Sequence, residues 1–373
     1  MPKKLIIFCD GTWNEPTKRG TNVLRMLQAT EFKDAKGDPQ LVHYIAGVGT
    51  RKDEKFRGGT FGLGISNNIT DAYSFIVSNY EEGDEIFLFG FSRGAFTARS
   101  IAGLIHNLGV LHRCNLPLVA EAYKHYKDKT PDWSPKGKEA DKYRRENCHS
   151  WPTKIKLLGV WDTVGALGAP YGEILGYLVD KVFKCSFHDL ELSESVDSAY
   201  HAMAADERRW PFRPTPIELT AYHEERNRAN RAEFGFSLYE QKWFPGVHSN
   251  VGGGYDRLGL SDCALEWMAE CVASEFCAQR KGEFTSPPRG ASISKFAKGN
   301  NPVTARRLFG SADSGGPARL VLLGSRRTTR RARGRYQRRS LGPSAAPARV
   351  HKVIVPPYHR AKKGIESSTQ WSA

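Results

Sequence analysis

A serine flanked by glycines has the setting in this chain that most favours covalent chemistry. Gly90, Ser92 and Gly94 form the pattern G-x-S-x-G within the stretch GDEIFLFGFSRGAFTARSIAG. The apolar run at 86–89 predicts a buried strand, and small residues recurring over 95–105 predict a helix directly after it. A serine at such a turn has its hydroxyl raised above the sheet, and the glycines avoid clashes with neighbouring backbone. We predict that Ser92 is a nucleophile; the alternative is a turn serine, because the motif alone arises easily by chance.

A nucleophilic serine needs a base, and the base needs a carboxylate that orients it. His248 lies in FPGVHSNVGGGY, where glycines let the backbone turn close to the serine. Asp162 directly follows a strand predicted at 153–161 and precedes the histidine in the chain, the order Ser, Asp, His of α/β-hydrolases. Asp206 is the second choice for the acid. The alternatives are a histidine that only packs in a turn and an aspartate that only caps one.

An ester carbonyl under attack needs hydrogen-bond donors for its oxyanion. The backbone amide of Arg93, directly after the nucleophile, is the expected first donor. Residues 4–9 predict the first buried strand, which ends in the loop DGTWN, so the amide of Gly11 or Thr12 is the expected second donor. Asp10 is expected either to orient this loop by accepting hydrogen bonds or to bind a cation. A simple turn at the strand end is the alternative.

The order of predicted elements indicates an α/β fold with a mostly parallel central sheet and helices on both faces. Strands are also expected at 41–49 and 234–243. Helices are expected at 21–31, 65–80, 95–105, 116–127, 195–209 and 258–279, and a solvated connection at 128–152.

Two further segments are candidates for mobile elements around the site. The glycine-rich residues 58–64 do not fit G-x-G-x-x-G, so they predict a loop near the site mouth rather than a dinucleotide site. The apolar residues 164–183 are expected to form either a lid that meets lipid or an ordinary helix packed on the sheet.

The distribution of charge separates a catalytic domain, predicted at 1–300, from a basic tail at 301–373. Of the 55 Lys and Arg residues, 16 lie after residue 303, where only Asp313 and Glu366 are acidic. The other 39 basic residues nearly balance the other 38 acidic ones, so 14 of the 15 net positive charges belong to the tail. The tail's composition is typical of disorder or of a shifted reading frame. Nucleic acid is not an expected partner, although clustered arginines neutralise phosphates.

Membrane spans, secretion signals and metal sites are not expected. The apolar run near the N-terminus has five residues, and no stretch of about 18 apolar residues occurs. Seven cysteines, scattered without metal-site spacing, predict reduced thiols in a protein made in the cytoplasm. Cys263, Cys271 and Cys277 are expected in a helix core rather than as ligands. Neither a metal nor a cofactor is expected.

Five motifs in order along the chain carry a resemblance to a known family: DGTWN, GDEIFLFGFSRGAFTARSIAG, GVWDTVGALG, HAMAADERRWPF and FPGVHSNVGGGY. Together they resemble the α/β-hydrolase domain of type VI secretion phospholipase effectors, a largely uncharacterised family, over residues 3–279. The resemblance implies a lipid-ester hydrolase whose triad maps onto Ser92, Asp162 and His248. It places no metal on particular residues, and the C-terminal part of the family pattern is not found after residue 301.

The expected function is therefore hydrolysis of carboxylic esters through an acyl-enzyme, with phospholipid as the substrate that the resemblance implies. A generic cytosolic carboxylesterase and a non-catalytic module with an anion-binding basic tail are the alternatives. Expected partners are a lipid or small ester substrate, a membrane surface, and a secretion or immunity protein. The expected location is the cytoplasm as made, with export that uses no signal peptide.

Overall fold

The computed structural model describes residues 2–11, 20–34, 36–47, 61–165 and 191–278. The strands are β1 (Lys4–Cys9), β2 (Gln40–Ile45), β3 (Glu85–Phe91), β4 (Leu157–Trp161), β5 (Ala199–Ala204) and β6 (Tyr239–Phe244). The α-helices are α1 (Asn22–Ala29), α2 (Phe61–Asn79), α3 (Arg93–Leu108), α4 (Val119–Tyr126), α5 (Lys138–Asn147), α6 (Ala221–Phe234), α7 (His248–Gly252) and α8 (Gly259–Ala278). Short 3₁₀ segments lie at Arg113–Leu118, Pro131–Trp133 and Trp210–Phe212.

Several predicted features lie outside the described residues and stay predictions. They are Thr12 of the oxyanion loop, residues 58–60 of the glycine-rich loop, residues 166–183 of the lid candidate, and the tail at 301–373. The division of the chain into a catalytic domain and a tail is likewise a prediction.

Six strands form one sheet in the order β2-β1-β3-β4-β5-β6, and every neighbouring pair is parallel. Parallel strands run in one direction, so their carboxyl ends lie at the same edge of the sheet. The register shows this directly, because Phe91 pairs with Trp161, and Ala204 pairs with Phe244, at the ends of their strands. The segments that follow β1, β3, β4 and β6 therefore begin at one edge.

Helices cover both faces of this sheet. Alternate residues of a strand point to opposite faces, so Ile86 and Leu88 of β3 pack in one apolar cluster while Phe87 and Phe89 pack in another. Helices α2, α3, α4 and α5 contribute to the first cluster, and α1 and α8 to the second. The predicted α/β-hydrolase-like fold class, with helices on both faces of a parallel sheet, is confirmed.

The prediction of a helix at 195–209 is wrong, because β5 runs through this segment. All six residues of β5, with the sequence AYHAMA, are buried, and the strand pairs with β4 on one side and β6 on the other. Alanine has the highest helix propensity, so local preference favours a helix here. The hydrogen bonds available between two neighbouring strands override that preference.

Two helices are not among the elements that the sequence predicts. The segment 128–152, predicted as a solvated connection, contains α5, which buries Ala140. The strand predicted at 234–243 begins only at Tyr239, and α6 precedes it. Helix α6 is polar around most of its surface, with only two of its residues buried. Such a helix shows no apolar periodicity, so the sequence gives no signal for it.

Smaller differences concern α2 and α8. Helix α2 begins at Phe61, so residues 61–64 of the predicted glycine-rich loop are helical. In α8, Cys271 is buried as predicted, whereas Cys263 is exposed, because it lies on the side of the helix that faces away from the sheet. The side chain of Cys277 lies outside the described residues. Within the ranges given above, no helix is both long and apolar enough to cross a membrane.

Two tryptophans give a matched test of the packing against β5 and β6. Trp267 of α8 is 7% exposed and contacts the rings of Tyr200 and Phe244, whereas Trp243 of β6 is 56% exposed. Trp267→Ala should lower the free energy of unfolding by about 3–5 kcal/mol, because it leaves a cavity in the core. Trp243→Ala should lower it by less than about 1 kcal/mol. Equilibrium urea denaturation measures both, and equal losses would show that α8 does not pack as described.

Candidate active site

Ser92 occupies a strained turn between β3 and α3. Its backbone angles are φ 59° and ψ −123°, which a residue with a side chain rarely adopts. Its amide donates a hydrogen bond to the Trp161 carbonyl at 3.0 Å. A Cβ added to Gly94 would lie 2.1 Å from the Cys9 carbonyl oxygen, and one added to Gly90 would lie 2.5 Å from the Gly94 oxygen. The two glycines are therefore required for α3 to start this close to the ends of β1 and β3.

His248 lies against the serine hydroxyl. Its Nε2 is 2.7 Å from Ser92 Oγ, and the side chains of both residues are almost fully buried. The imidazole lies between the rings of Phe91 and Phe212, at centroid distances of 4.6 and 4.9 Å. A Cβ on Gly252 would lie 1.9 Å from the Phe91 ring, so glycine at this position permits the close approach. His248 is the first residue of the short helix α7 rather than part of the predicted loop.

Asp162 completes a hydrogen-bonded series with these two residues. Its Oδ2 is 2.6 Å from His248 Nδ1, and its Oδ1 accepts a hydrogen bond at 2.8 Å from the amide of Ala204 at the end of β5. The aspartate is fully buried and has a φ of 40°. Both of its oxygens are therefore held, and the carboxylate has one orientation relative to the imidazole.

Asp206, the second choice for the acid, lies at the surface and contacts a different group. Its carboxylate accepts a hydrogen bond from the Gly246 amide at 2.6 Å, and its own amide donates to the Gly246 carbonyl at 3.0 Å. Gly246 has a φ of 101°, which favours glycine. Asp206 thus fixes the turn that leads from β6 to His248, and Asp162 is the carboxylate that the imidazole contacts.

The expected oxyanion donors have different surroundings. The amide of Arg93 is the first of helix α3, at the positive end of the helix dipole. The amide of Gly11 donates to Asp10 Oδ1 at 2.6 Å. Asp10 Oδ2 accepts hydrogen bonds from Thr21 Oγ1 and Tyr44 Oη at 2.7 and 2.8 Å. The Gly11 amide is therefore already engaged by the Asp10 carboxylate, and the role of Asp10 in orienting the oxyanion loop stays a prediction.

Burial also affects the ionisation of Asp10. Desolvation raises the pKa of this carboxyl above its ordinary value, and the hydrogen bonds from Thr21, Tyr44 and Gly11 oppose that shift. Within the described ranges, no three His, Cys, Asp or Glu residues are grouped so as to hold a metal ion.

His201 in β5 is a residue of the site that the sequence alone does not assign. It is fully buried, its Nε2 accepts a hydrogen bond from the Thr163 amide at 3.2 Å, and its Nδ1 lies 3.3 Å from Gln241 Oε1. Desolvation, reinforced by the charge of Arg99, lowers the pKa of His201 to about 3. The ring is therefore neutral and donates from Nδ1. Because Thr163 directly follows Asp162, His201 positions the backbone that carries the acid.

Glu207 holds the backbone of His248. Its carboxylate accepts a hydrogen bond from the His248 amide at 3.2 Å and is paired with Arg209 at 2.6 Å. The hydrogen bond from Arg209 is the main cause that lowers the pKa of Glu207 to about 2. The contact with His248 joins residues 41 positions apart in the chain, and only the motif HAMAADERRWPF marks this segment in the sequence.

The three linked side chains can activate the serine hydroxyl. A carboxylate at Nδ1 directs the other ring nitrogen, Nε2, toward the hydroxyl. Nε2 can then accept the proton of Ser92 as its oxygen bonds to an electrophilic carbon. The arrangement suits nucleophilic attack on an acyl group.

Comparison with known proteins identifies relatives of this chain. Residues 3–271 match the family model described as "T6SS, Phospholipase effector Tle1-like, catalytic domain". An uncharacterized protein of Saccharomyces cerevisiae is 28% identical over 232 residues, which are 57% of this chain and 32% of the yeast protein.

Two solved structures are also similar. An uncharacterized protein from Pseudomonas aeruginosa is 17% identical with a TM-score of 0.39, over 74% of this chain and 46% of that protein. The Tle1 effector bound to the VgrG spike of the type 6 secretion system is 19% identical with a TM-score of 0.38, over 69% of this chain and 52% of that one. The chain thus spans about a third of the yeast relative and about half of each solved protein.

The buried, neutral state of His201 predicts a pH dependence of stability. An unfolded histidine has a pKa near 6.5, whereas folded His201 has a pKa of about 3. Between these values the unfolded chain binds more protons, so the stability is full above about pH 6.5 and is lost as pH falls, by about 1.4 kcal/mol per pH unit. Between pH 6.5 and pH 5, wild type should therefore lose roughly 2 kcal/mol more of its free energy of unfolding than His201→Gln loses.

Urea denaturation at each pH measures this difference. Replacing the exposed His112 by glutamine controls for the loss of an imidazole. Identical pH dependence in wild type and His201→Gln would contradict the neutral assignment.

Proposed function

The chain belongs to the family of Tle1-like catalytic domains of type VI secretion phospholipase effectors, and from this we propose that it is a serine hydrolase that cleaves carboxylic ester bonds of phospholipids. The observation that carries the proposal is the unbroken series of hydrogen bonds from Ser92 Oγ through His248 to Asp162. Family membership supports phospholipid as the substrate. The chemistry of the three side chains supports ester hydrolysis through an acyl-enzyme.

In the proposed acylation step, the Ser92 oxygen attacks the ester carbonyl carbon while His248 Nε2 takes the hydroxyl proton. The carbonyl π electrons move onto oxygen, and the oxyanion is stabilised by the Arg93 amide and a second amide of the loop after β1. Because the Gly11 amide already donates to Asp10, we propose the Thr12 amide as the second donor. When the intermediate collapses, His248 returns the proton to the leaving lysophospholipid oxygen, and the fatty acyl group remains on the serine.

Water completes the cycle. His248 Nε2 takes a proton from a water molecule as its oxygen attacks the acyl carbonyl, and a second oxyanion forms at the same donors. Collapse of that intermediate breaks the bond to Ser92 Oγ, which recovers its proton from the imidazole. This step releases the free fatty acid and regenerates the serine, so the products of the whole cycle are a lysophospholipid and a fatty acid.

Asp162 acts through the imidazole in both steps. By accepting a hydrogen bond from Nδ1–H it selects the tautomer whose Nε2 faces the serine, and its negative charge stabilises the imidazolium that forms during attack. The fixed position of Asp162, held by Ala204 and supported by His201, keeps the ring aligned.

Two other functions are alternatives to phospholipid hydrolysis. A generic carboxylesterase would use the same three residues on soluble esters, so release of fatty acid from phospholipid vesicles distinguishes it. A degenerate, non-catalytic module would not react with a fluorophosphonate, so covalent labelling distinguishes that alternative.

Partner and location follow from the family as further parts of the proposal. One solved relative is a Tle1 effector bound to the VgrG spike. We propose export of this chain through a type VI secretion system, which requires no signal peptide, with a spike protein as its carrier. An immunity protein that blocks the site in the producing cell fits the same role.

Ser92→Ala should abolish the proposed activity. The rate of fatty acid release from dioleoylphosphatidylglycerol vesicles, and kcat/KM for p-nitrophenyl butyrate, should fall by at least about a thousandfold, because the nucleophilic oxygen is removed. Ser100→Ala, in helix α3 directly after the turn that carries Ser92, should retain wild-type activity. Circular dichroism and Tm check that both variants fold. A Ser92→Ala protein that hydrolyses these esters at the parent rate would reject the assignment.

The identity of the acid gives a second prediction. Asp162→Asn should lower kcat by about three to four orders of magnitude, because an amide at this position favours the wrong imidazole tautomer. Asp206→Asn should lower kcat by less than about tenfold, since an amide oxygen still accepts the Gly246 hydrogen bond. Steady-state kinetics with p-nitrophenyl butyrate compare the two variants. The reverse order of effects would identify Asp206 as the acid.

A further inference from the structure

We propose that Arg209 binds the phosphodiester of a glycerophospholipid at the mouth of the active site, and that this contact makes the enzyme prefer phospholipids to neutral esters. The inference rests on the proposed hydrolase function and deepens it. It comes from the position, the charge balance and the exposure of one guanidinium near His248.

A series of side chains leads from the buried histidine to the surface. His248 is 4% exposed, and its ring lies 4.9 Å from the ring of Phe212, measured between centroids. The guanidinium carbon of Arg209 lies 4.3 Å from the centroid of the same Phe212 ring. The Arg209 side chain is 52% exposed. The cation is therefore one aromatic ring away from the histidine, on its outward side.

Glu207 fixes the guanidinium and leaves its outer edge open. The carboxylate accepts hydrogen bonds from Arg209 Nε and Nη2 at 2.9 and 2.6 Å, and from the amides of Arg209 and His248. The Glu207 side chain is 1% exposed, so the anion lies beneath the cation. A guanidinium has five N–H donors. Among contacts within the described ranges, Glu207 takes two of them, which leaves three for a ligand.

The surrounding segment has a positive balance. Arg208 and Arg213 are also exposed, and the segment's two carboxylates are both engaged, Asp206 with the Gly246 amide and Glu207 with Arg209. Stacking on Phe212 adds a cation–π contact that holds the guanidinium plane. Arg209 is therefore a positioned cation rather than a freely moving one, and positioning reduces the entropy that a ligand contact costs.

A phosphodiester suits this cation. Glycerophospholipids carry a phosphodiester a few bonds from their ester carbonyls. A diacylglycerol with the same acyl chains has a neutral hydroxyl at that position. A guanidinium offers two parallel N–H groups that match two phosphate oxygens. A contact made by one substrate and not by the other discriminates between them through kcat/KM.

A matched pair of substrates tests the proposal. Full-length wild type, Arg209→Gln, Arg209→Lys and Arg208→Gln are assayed for oleate release from dioleoylphosphatidylglycerol and from dioleoylglycerol in identical Triton X-100 mixed micelles. In Arg209→Gln the ratio of kcat/KM for the phospholipid to kcat/KM for the diacylglycerol should fall about tenfold. In Arg209→Lys this ratio should fall less, because lysine keeps the positive charge but lacks the two parallel N–H donors of the guanidinium. Arg208→Gln, which removes the adjacent exposed charge, should keep the wild-type ratio.

Two results of this assay would overturn the proposal. Equal losses on both substrates in Arg209→Gln would mean that the residue only supports Phe212 and His248. An equal fall of the ratio in Arg208→Gln would mean that surface charge in general, and not a site at Arg209, attracts the phospholipid.

Fluorophosphonate labelling separates this proposal from the hydrolase assignment. A labelled Arg209→Gln protein with an unchanged substrate ratio overturns the phosphodiester site alone, whereas a wild-type protein that is not labelled overturns both.

Soluble inhibitors distinguish a lipid headgroup from free phosphate. With p-nitrophenyl butyrate as substrate, sn-glycero-3-phosphocholine should inhibit wild type more strongly than inorganic phosphate does, and should inhibit Arg209→Gln more weakly than wild type. Inhibition by inorganic phosphate alone would assign Arg209 to a free-phosphate site and contradict the proposal.

Discussion

A carboxylate with no exposed surface must be hydrogen-bonded at its oxygens, and this requirement of Asp162 determines how the site is assembled. One oxygen accepts from the Ala204 amide and the other meets His248 Nδ1. The first contact fixes the end of β4 against the end of β5, and the second fixes the segment after β6 against both. A buried charge without these partners costs several kcal/mol, so the three strand ends are held in one arrangement. The imidazole then has a single direction left for Nε2, toward Ser92.

The residues around this contact act on backbone rather than on substrate. His201 holds the amide after the aspartate, Glu207 holds the amide of the histidine, and Asp206 holds the turn before it. On the other side of the serine, Gly94 lets α3 begin against the carbonyls of β1. Preorganisation of this kind keeps the reacting groups aligned before substrate arrives, and misplacement by about 1 Å costs a large part of the rate.

Local sequence was sufficient to predict the elements around Ser92, but not strand β5, helix α6 or the contacts that support the site. The strand before Ser92 and the helix after it follow from a short apolar run, a small-residue period and two glycines, all within one stretch of chain. The alanine-rich β5 has the opposite local preference, and only pairing with two neighbours makes it a strand. Helix α6 has a polar surface and therefore no apolar period. The contacts of His201 and Glu207 join separate elements, so no pattern within either segment reveals them.

In the proposed mechanism the hydrogen-bonded series of Ser92, His248 and Asp162 activates the serine oxygen, and locating the site of covalent modification tests this most directly. Full-length protein is treated with a fluorophosphonate, digested, and examined by tandem mass spectrometry to locate the adduct. The account predicts a single phosphonylated residue, Ser92, and slower modification when Asp162 is replaced by asparagine. An adduct on another residue, or none under conditions that fully label a known serine esterase, would contradict it.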